Sequence, residues 1–233
     1  MSDALIAEGV ELVAAAEAEG ATLRLLGGSA VVLHSSGAAH REIGDLDAVT
    51  RRSDVTAVVR VLSARGYEPE SRFNAMHGDR RLIFHLRDLK LDLFIETFEM
   101  CHRIELGPRL GLDSPTIPVT DLVVTKLQVV ELNAKDASDL AELLSHHVLG
   151  TGSGDHLDEG YLSELVADDW ALWRTMTGTV ERLGQLEPAV AGQALALRAV
   201  LDEAPKGRRF RLRAKVGERK RWYELPEEIG EEG

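Results

Sequence analysis

The chain has 233 residues, enough for one large domain or two small ones around a buried core. Its hydrophobic fraction of 44% excludes global disorder, and its net charge of −12 argues against general nucleic-acid affinity. Cys101 is the only cysteine, which excludes an internal disulfide and fits a reducing, cytoplasmic compartment. The first residues carry Asp3, Glu8 and Glu11 and no basic run, so no signal peptide is expected. No apolar run reaches the ~20 residues of a membrane helix, so no membrane partner is expected.

Residues 3–19 predict a helix, capped by Ser2 and striped by Leu5, Val10, Leu12 and Val13, which Gly20 ends. Residues 22–26 read as a buried strand, Gly27-Gly28 as a turn, and residues 29–35 as a helix that Gly37 breaks. A second strand is expected over 45–49. Ser53 then caps a helix over 54–65, stopped by Gly66, and residues 67–70 form a short strand. Residues 81–86 and 90–95 read as antiparallel strands around a turn at Arg87-Asp88, with a last short strand over 117–119. After Pro118 the pattern becomes helical. Thr120 caps 121–132, 134–147 follows, a Gly/Ser/Thr-rich linker covers 150–154, and helices are expected over 161–166, 170–183 and 190–203. The fold class is therefore α+β: an α/β domain over 1–118, a helical domain over 119–205, and a basic arm with an acidic tail over 206–233.

Gly27-Gly28-Ser29 follows the apolar run 23–26. Glycine lets a backbone approach a phosphate, a helix start offers free N–H groups, and Ser29 adds a hydroxyl. The alternative is a plain strand–helix turn. Asp45-Leu46-Asp47 puts two carboxylates on one strand face with Leu46 turned to the core. They repel unless a cation lies between them, and Mg²⁺ commonly takes one or two carboxylates plus substrate phosphates. Asp92 stands alone in the apolar stretch 89–95, where an unpaired buried carboxylate is costly. Lys90 is placed on the other face, so a metal shared with Asp45 and Asp47 is one solution. Pairing with an arginine, or a solvated strand end, is the other.

In the helical half, Lys126 lies inside an apolar helix, where it snorkels to the surface or reaches a triphosphate as a point charge. Asp136 and Asp139, three apart, share a helix face. His146, His147 and His156 lack the spacing of a zinc motif. Trp170 and Trp173 read as core residues. Residues 206–221 hold nine Lys/Arg and one acid, Glu218, which leaves the rest of the chain more acidic than its net charge. Such a stretch contacts a polyanion, packs on its own acidic body, binds a partner protein or is simply solvated. In the polyanion reading Arg208, Arg209, Arg211 and Arg213 touch phosphates, and Phe210 and Trp222 stack on bases.

Gly28 and Ser29, then Asp45 and Asp47, then Asp92 together resemble the signature of the nucleotidyltransferase superfamily. The spacer between the first two motifs is slightly longer than is usual there. Three stretches, Gly27-Gly28-Ser29-Ala30, His40-Arg41 with Asp45-Leu46-Asp47, and Asp121-Leu122 with Lys126, Lys135-Asp136 and Asp139-Leu140, are similar to the AbiEii and MenT-type nucleotidyltransferases. These are toxins of toxin–antitoxin systems. The resemblance covers residues 22–145. It implies a nucleotidyltransferase-type mixed sheet with flanking helices, followed by a helical C-terminal domain. It also implies that Lys126 contacts the nucleotide, that Asp139, or else Asp136, acts as a base or positions the acceptor, and that a cognate antitoxin exists.

The expected reaction follows. Asp45 and Asp47 bind Mg²⁺ with the phosphates of a nucleoside triphosphate, and Asp92 completes a second metal site. Gly27, Gly28, Ser29 and Lys126 hold the nucleotide. In-line attack by an acceptor hydroxyl, on tRNA or another RNA, expels pyrophosphate. Transfer to a small molecule such as an aminoglycoside, and a non-catalytic binding or regulatory module, are the alternatives.

Overall fold

Alternating apolar positions on neighbouring strands build a five-stranded mixed sheet in the computed structural model, which describes residues 2–35, 43–152 and 155–225. The chain divides into two units, residues 1–98 with 105–122, and residues 99–104 with 123–233.

The first unit opens with α1 (Ser2–Ala18), β1 (Leu23–Leu26) and α2 (Gly27–His34), which starts without a break from the strand. Then come β2 (Asp45–Thr50), α3 (Val55–Ala64), β3 (Glu68–Pro69), α4 (Ser71–His77), β4 (Arg81–Leu86) and β5 (Leu89–Ile95). Strand order is β1-β2-β5-β4-β3. β2 and β5 run parallel, and the other pairings are antiparallel. Leu86 pairs with Leu89, so the expected turn at Arg87-Asp88 has two residues, with Arg87 at φ +55°. Leu12, Val13 and Ala16 of α1, Val58 and Leu62 of α3, and Leu25, Leu46, Phe84, Leu91 and Leu93 of the sheet form one buried cluster. Because side chains alternate, the residues between these strand positions face away from that cluster. Asp45, Asp47, Lys90 and Asp92 are among them.

Short strands β6 (Thr97–Glu99) and β7 (Arg103–Glu105) pair as a separate two-stranded sheet. The expected strand over 117–119 is a single bridge, Leu25 to Thr116, and Val119 already starts α5 (Val119–Leu127). Also in the first unit, Arg109 Nε donates to both carboxylate oxygens of the fully buried Asp121 at 2.9 Å.

α5 ends five residues short of the helix expected to 132. Tertiary bonds claim the backbone that would continue it. Thr179 donates its hydroxyl to the Val129 carbonyl at 2.7 Å, and Val130 N–H reaches Cys101 Sγ at 3.5 Å.

The second unit continues with α6 (Ala134–His146), capped by Asn133, and with β8 (Leu149–Gly150) parallel to β9 (Leu157–Asp158). It is completed by α7 (Glu159–Ala167), α8 (Trp170–Leu186), α9 (Ala191–Glu203) and α10 (Arg208–Ala214). Asp158 accepts from Tyr161 N–H and Asp169 from Leu172 N–H, whereas Ser53, expected as a cap, gives its hydroxyl to Asp54, and Thr120 lies inside α5. No helix among the described residues is long and apolar enough to cross a membrane.

Candidate active site

Register brings the sheet aspartates together. Asp47 of β2 lies directly opposite Asp92 of β5, and Leu26, the last residue of β1, lies opposite Asp47 on its other side. Neighbouring strands are about 4.8 Å apart, so the two aspartate backbones are as close as a sheet allows. Asp45 stands two residues earlier on the face of Asp47, opposite Lys90. Exposure falls along this group: Asp45 is exposed, Asp47 is half-buried, and Asp92 is 2% exposed.

Gly27 is what lets Asp47 sit there. It adopts φ +63°, and a Cβ on it would stand 2.1 Å from Asp47 Oδ2. The carboxylate thus lies against the first turn of α2, the end of a helix that attracts negative charge. Ser29, expected to offer its hydroxyl to a phosphate, is 1% exposed and donates it to the Leu26 carbonyl at 3.1 Å.

Asp92 has counter-ions. Arg81 of β4 approaches its Oδ1 with Nη2 at 2.7 Å and Nε at 3.0 Å, and Lys90 Nζ lies 3.0 Å from Oδ2. The expectation that Lys90 lies on the opposite face is corrected: residues two apart in a strand share a face. The cost of burying Asp92 is therefore met by two cations, and the alternative of pairing with an arginine is the one realised. Arg81 itself is fixed over the rings of Phe94 and Phe73, at 5.1 and 5.8 Å. Neither Arg81 nor Lys90 is among the site residues expected from sequence, although the spacing of 90 to 92 carries the signal. Arg81 is eleven residues away and becomes a neighbour only through the β4–β5 pairing.

Hard oxygen donors at one sheet position suit Mg²⁺. Asp45, Asp47 and Asp92 offer such donors from one face of the paired strands, with one oxygen of Asp92 held by a partly exposed lysine.

In the second unit Lys126 is neutralised by its own helices. Its Nζ lies 2.8 Å from Asp136 Oδ1 and 2.8 Å from Asp139 Oδ2. Burial works to lower its pKa, but the two carboxylates outweigh it and hold the ammonium above its ordinary value. Asp139 is 4% exposed. Sequence alone places Asp136 and Asp139 on one face; only the fold adds Lys126 between them.

The described part of the basic stretch belongs to the second unit and is folded onto its helices. Phe210, 7% exposed, packs edge-on against Trp173, and Trp222 edge-on against Trp170. Trp222 Nε1 donates to Thr175 Oγ1 at 3.1 Å. Both aromatics are therefore spent on packing, which corrects their expected stacking on bases. Arg213 lies over Trp170 at 4.6 Å and donates to the carbonyls of Gly217 and Lys220. Of the four arginines expected at an acceptor, only Arg208, Arg209 and Arg211 are exposed. His147 pairs with Asp155 at 3.0 Å. His40 and Arg41 lie outside the described residues.

Residues 2–113 match the family model described as an uncharacterised nucleotidyltransferase. The likeness is to the nucleotidyltransferases. The match spans just under half of the chain and includes Gly27, Asp45, Asp47 and Asp92. It does not name the toxin subtype. No curated protein matches the chain. Two solved structures are distantly similar. The antibiotic-resistance factor ANT(2'')-Ia is 13% identical, with 94% of this chain and 97% of that one covered and a TM-score of 0.44. An antigenic nucleotidyltransferase-like protein from Paracoccidioides brasiliensis is 15% identical, with 88% and 95% covered and a TM-score of 0.46.

Proposed function

We propose that the protein is a metal-dependent nucleotidyltransferase, which moves a nucleoside monophosphate from a nucleoside triphosphate to an acceptor hydroxyl. The observation that carries this reading is the register of Asp47 against Asp92, with Asp45 on the same face and the start of α2 beside them. Asp45, Asp47 and Asp92 would hold Mg²⁺. When bound, the ion supplies positive charge beside the phosphoryl group under attack. The chain's own residues do the rest. The first turn of α2 presents backbone N–H groups to anionic oxygens. Arg81 holds Asp92 in place.

The acceptor we favour is RNA, tRNA in particular, with a toxin role and a cognate antitoxin as the biological setting. Exposed Arg208, Arg209 and Arg211 support it. A second reading, a small cationic acceptor such as an aminoglycoside, is favoured by the net charge of −12 and by the inward commitment of Arg213, Phe210 and Trp222.

The test supplies each labelled nucleoside triphosphate with Mg²⁺ and either total RNA or an aminoglycoside panel. Label should enter one acceptor class with release of pyrophosphate, and Asp47→Asn should abolish transfer while keeping the melting temperature equal or higher, since it relieves repulsion between acids. Undiminished transfer by that variant would refute the role of Asp47.

A further inference from the structure

Of the two described cations on Asp92, Lys90 is the more exposed and the more flexible. It shares a face with Asp45, Asp47 and Asp92, lies opposite Asp45 in the register, and touches Asp92 through Oδ2 alone at 3.0 Å. Its side chain is 40% exposed, against 27% for that of Arg81. Arg81 presents two nitrogens to Oδ1 and is held between aromatic rings, whereas Lys90 is a point charge on a flexible stem. Lys90 reaches solvent while Asp92 is buried, and Arg81 still pairs that carboxylate when the ammonium leaves, so its release strands no buried charge. We infer that Lys90 is a substrate-binding residue of this site. It is an exchangeable counter-ion that neutralises Asp92 while no nucleotide is bound, and it turns to the nucleotide's phosphates when a divalent cation is held by the carboxylates.

This inference rests on the metal-dependent reading above, and it gives Lys90 a task that sequence assigns to Lys126. The second unit explains why. Lys126 already carries two carboxylates at 2.8 Å, both on one neighbouring helix, and burial prevents their replacement by water. Lys90 shares its carboxylate with Arg81, so Asp92 stays paired when Lys90 leaves. A divalent cation and the Lys90 ammonium compete for Asp92 Oδ2. Once displaced, the ammonium remains beside Asp45 and Asp92, next to whatever anion accompanies the metal.

The test uses Lys90→Met and Lys90→Gln, with Mn²⁺ as the probe, titrated without nucleotide and followed by its electron paramagnetic resonance signal. Removing the competing charge should tighten Mn²⁺ binding about fivefold in both variants. In turnover the KM for the nucleoside triphosphate should rise about tenfold, with a smaller change in kcat, because a charge–phosphate contact is lost. Lys90→Arg should keep the KM near that of the wild type. Unchanged or weaker Mn²⁺ binding in both neutral variants overturns the competition. Tighter Mn²⁺ binding with an unchanged KM overturns the contact with phosphate. Asp47→Asn distinguishes failure of the underlying reading: wild-type protein that binds no Mn²⁺, or an Asp47→Asn variant that binds it equally well, removes the metal site and Lys90's role with it. Melting curves confirm that each variant is folded, which the exposure of Lys90 leads us to expect.

Discussion

At Gly27 two constraints meet on one backbone atom. The left-handed φ disfavours any side chain, and the space a Cβ would fill is taken by the Asp47 carboxylate. Gly20, at φ +73°, has the first constraint without the second, since nothing lies within 4 Å of its Cβ position. The pair separates backbone strain from site geometry. Gly20→Ala should cost about 1–2 kcal/mol, the strain of a left-handed residue. Gly27→Ala should cost more, and should also lower transfer at least tenfold by pushing Asp47 out of place. Equal losses of stability and intact transfer in the two variants would reduce Gly27 to a turn residue. The pattern Gly-Gly-Ser is visible in the sequence, but its division of labour is not. Ser29 turns inward to the Leu26 carbonyl, and Gly27 serves the aspartate. A one-dimensional motif shows which residues are small, not which neighbour needs the room.

Among the elements, β2 and β5 are legible because period-two alternation marks one buried face and one polar face. Their pairing is what sequence leaves open. Nothing in the stretches 45–50 and 89–95 says that they run parallel, with Asp47 against Asp92 and not one residue displaced. A slip of one would send Asp92 into the cluster of Leu46 and Leu91. α4 is not expected from sequence because its seven residues bury only Phe73 and offer no periodic stripe. α5 stops early because Thr179 and Cys101, distant in sequence, bind the backbone beyond it. α10 shows the reverse. Its arginines suggest a solvated arm, yet one apolar residue anchors it. Phe210 packs on Trp173, with the Lys206 ammonium over the Phe210 ring at 4.8 Å. Phe210→Ala should therefore destabilise the second unit by about 3 kcal/mol, the loss of a buried aromatic. Denaturant melts would measure it, and a loss below about 0.5 kcal/mol, typical of a surface substitution, would mean that α10 contributes no packing.

For the whole molecule, charge is distributed against its sum. A chain with net charge −12 presents Arg208, Arg209 and Arg211 at the surface of one short helix, while Arg213 and Lys206 are turned to its own rings. If RNA is the acceptor, these three share the electrostatics with the exposed Lys215, Arg219, Lys220 and Arg221. Replacing all three with serine should weaken binding and flatten the plot of log affinity against log salt by about 2, at about 0.7 for each single-strand phosphate contact. An unchanged slope would direct the acceptor search to small molecules. The amino-acid sequence by itself determined the α+β class and the two strands that carry the aspartates, because burial pattern and local backbone chemistry act over a few residues. Only the tertiary structure decided that Asp92 is neutralised by Arg81 and Lys90, that Lys126 is held by Asp136 and Asp139, and that Phe210, Arg213 and Trp222 of the basic stretch pack on α8. Each of these is a pairing of charge or ring with a partner brought close by folding. Such pairings depend on distance in space, which residue spacing encodes only within a single strand or helix.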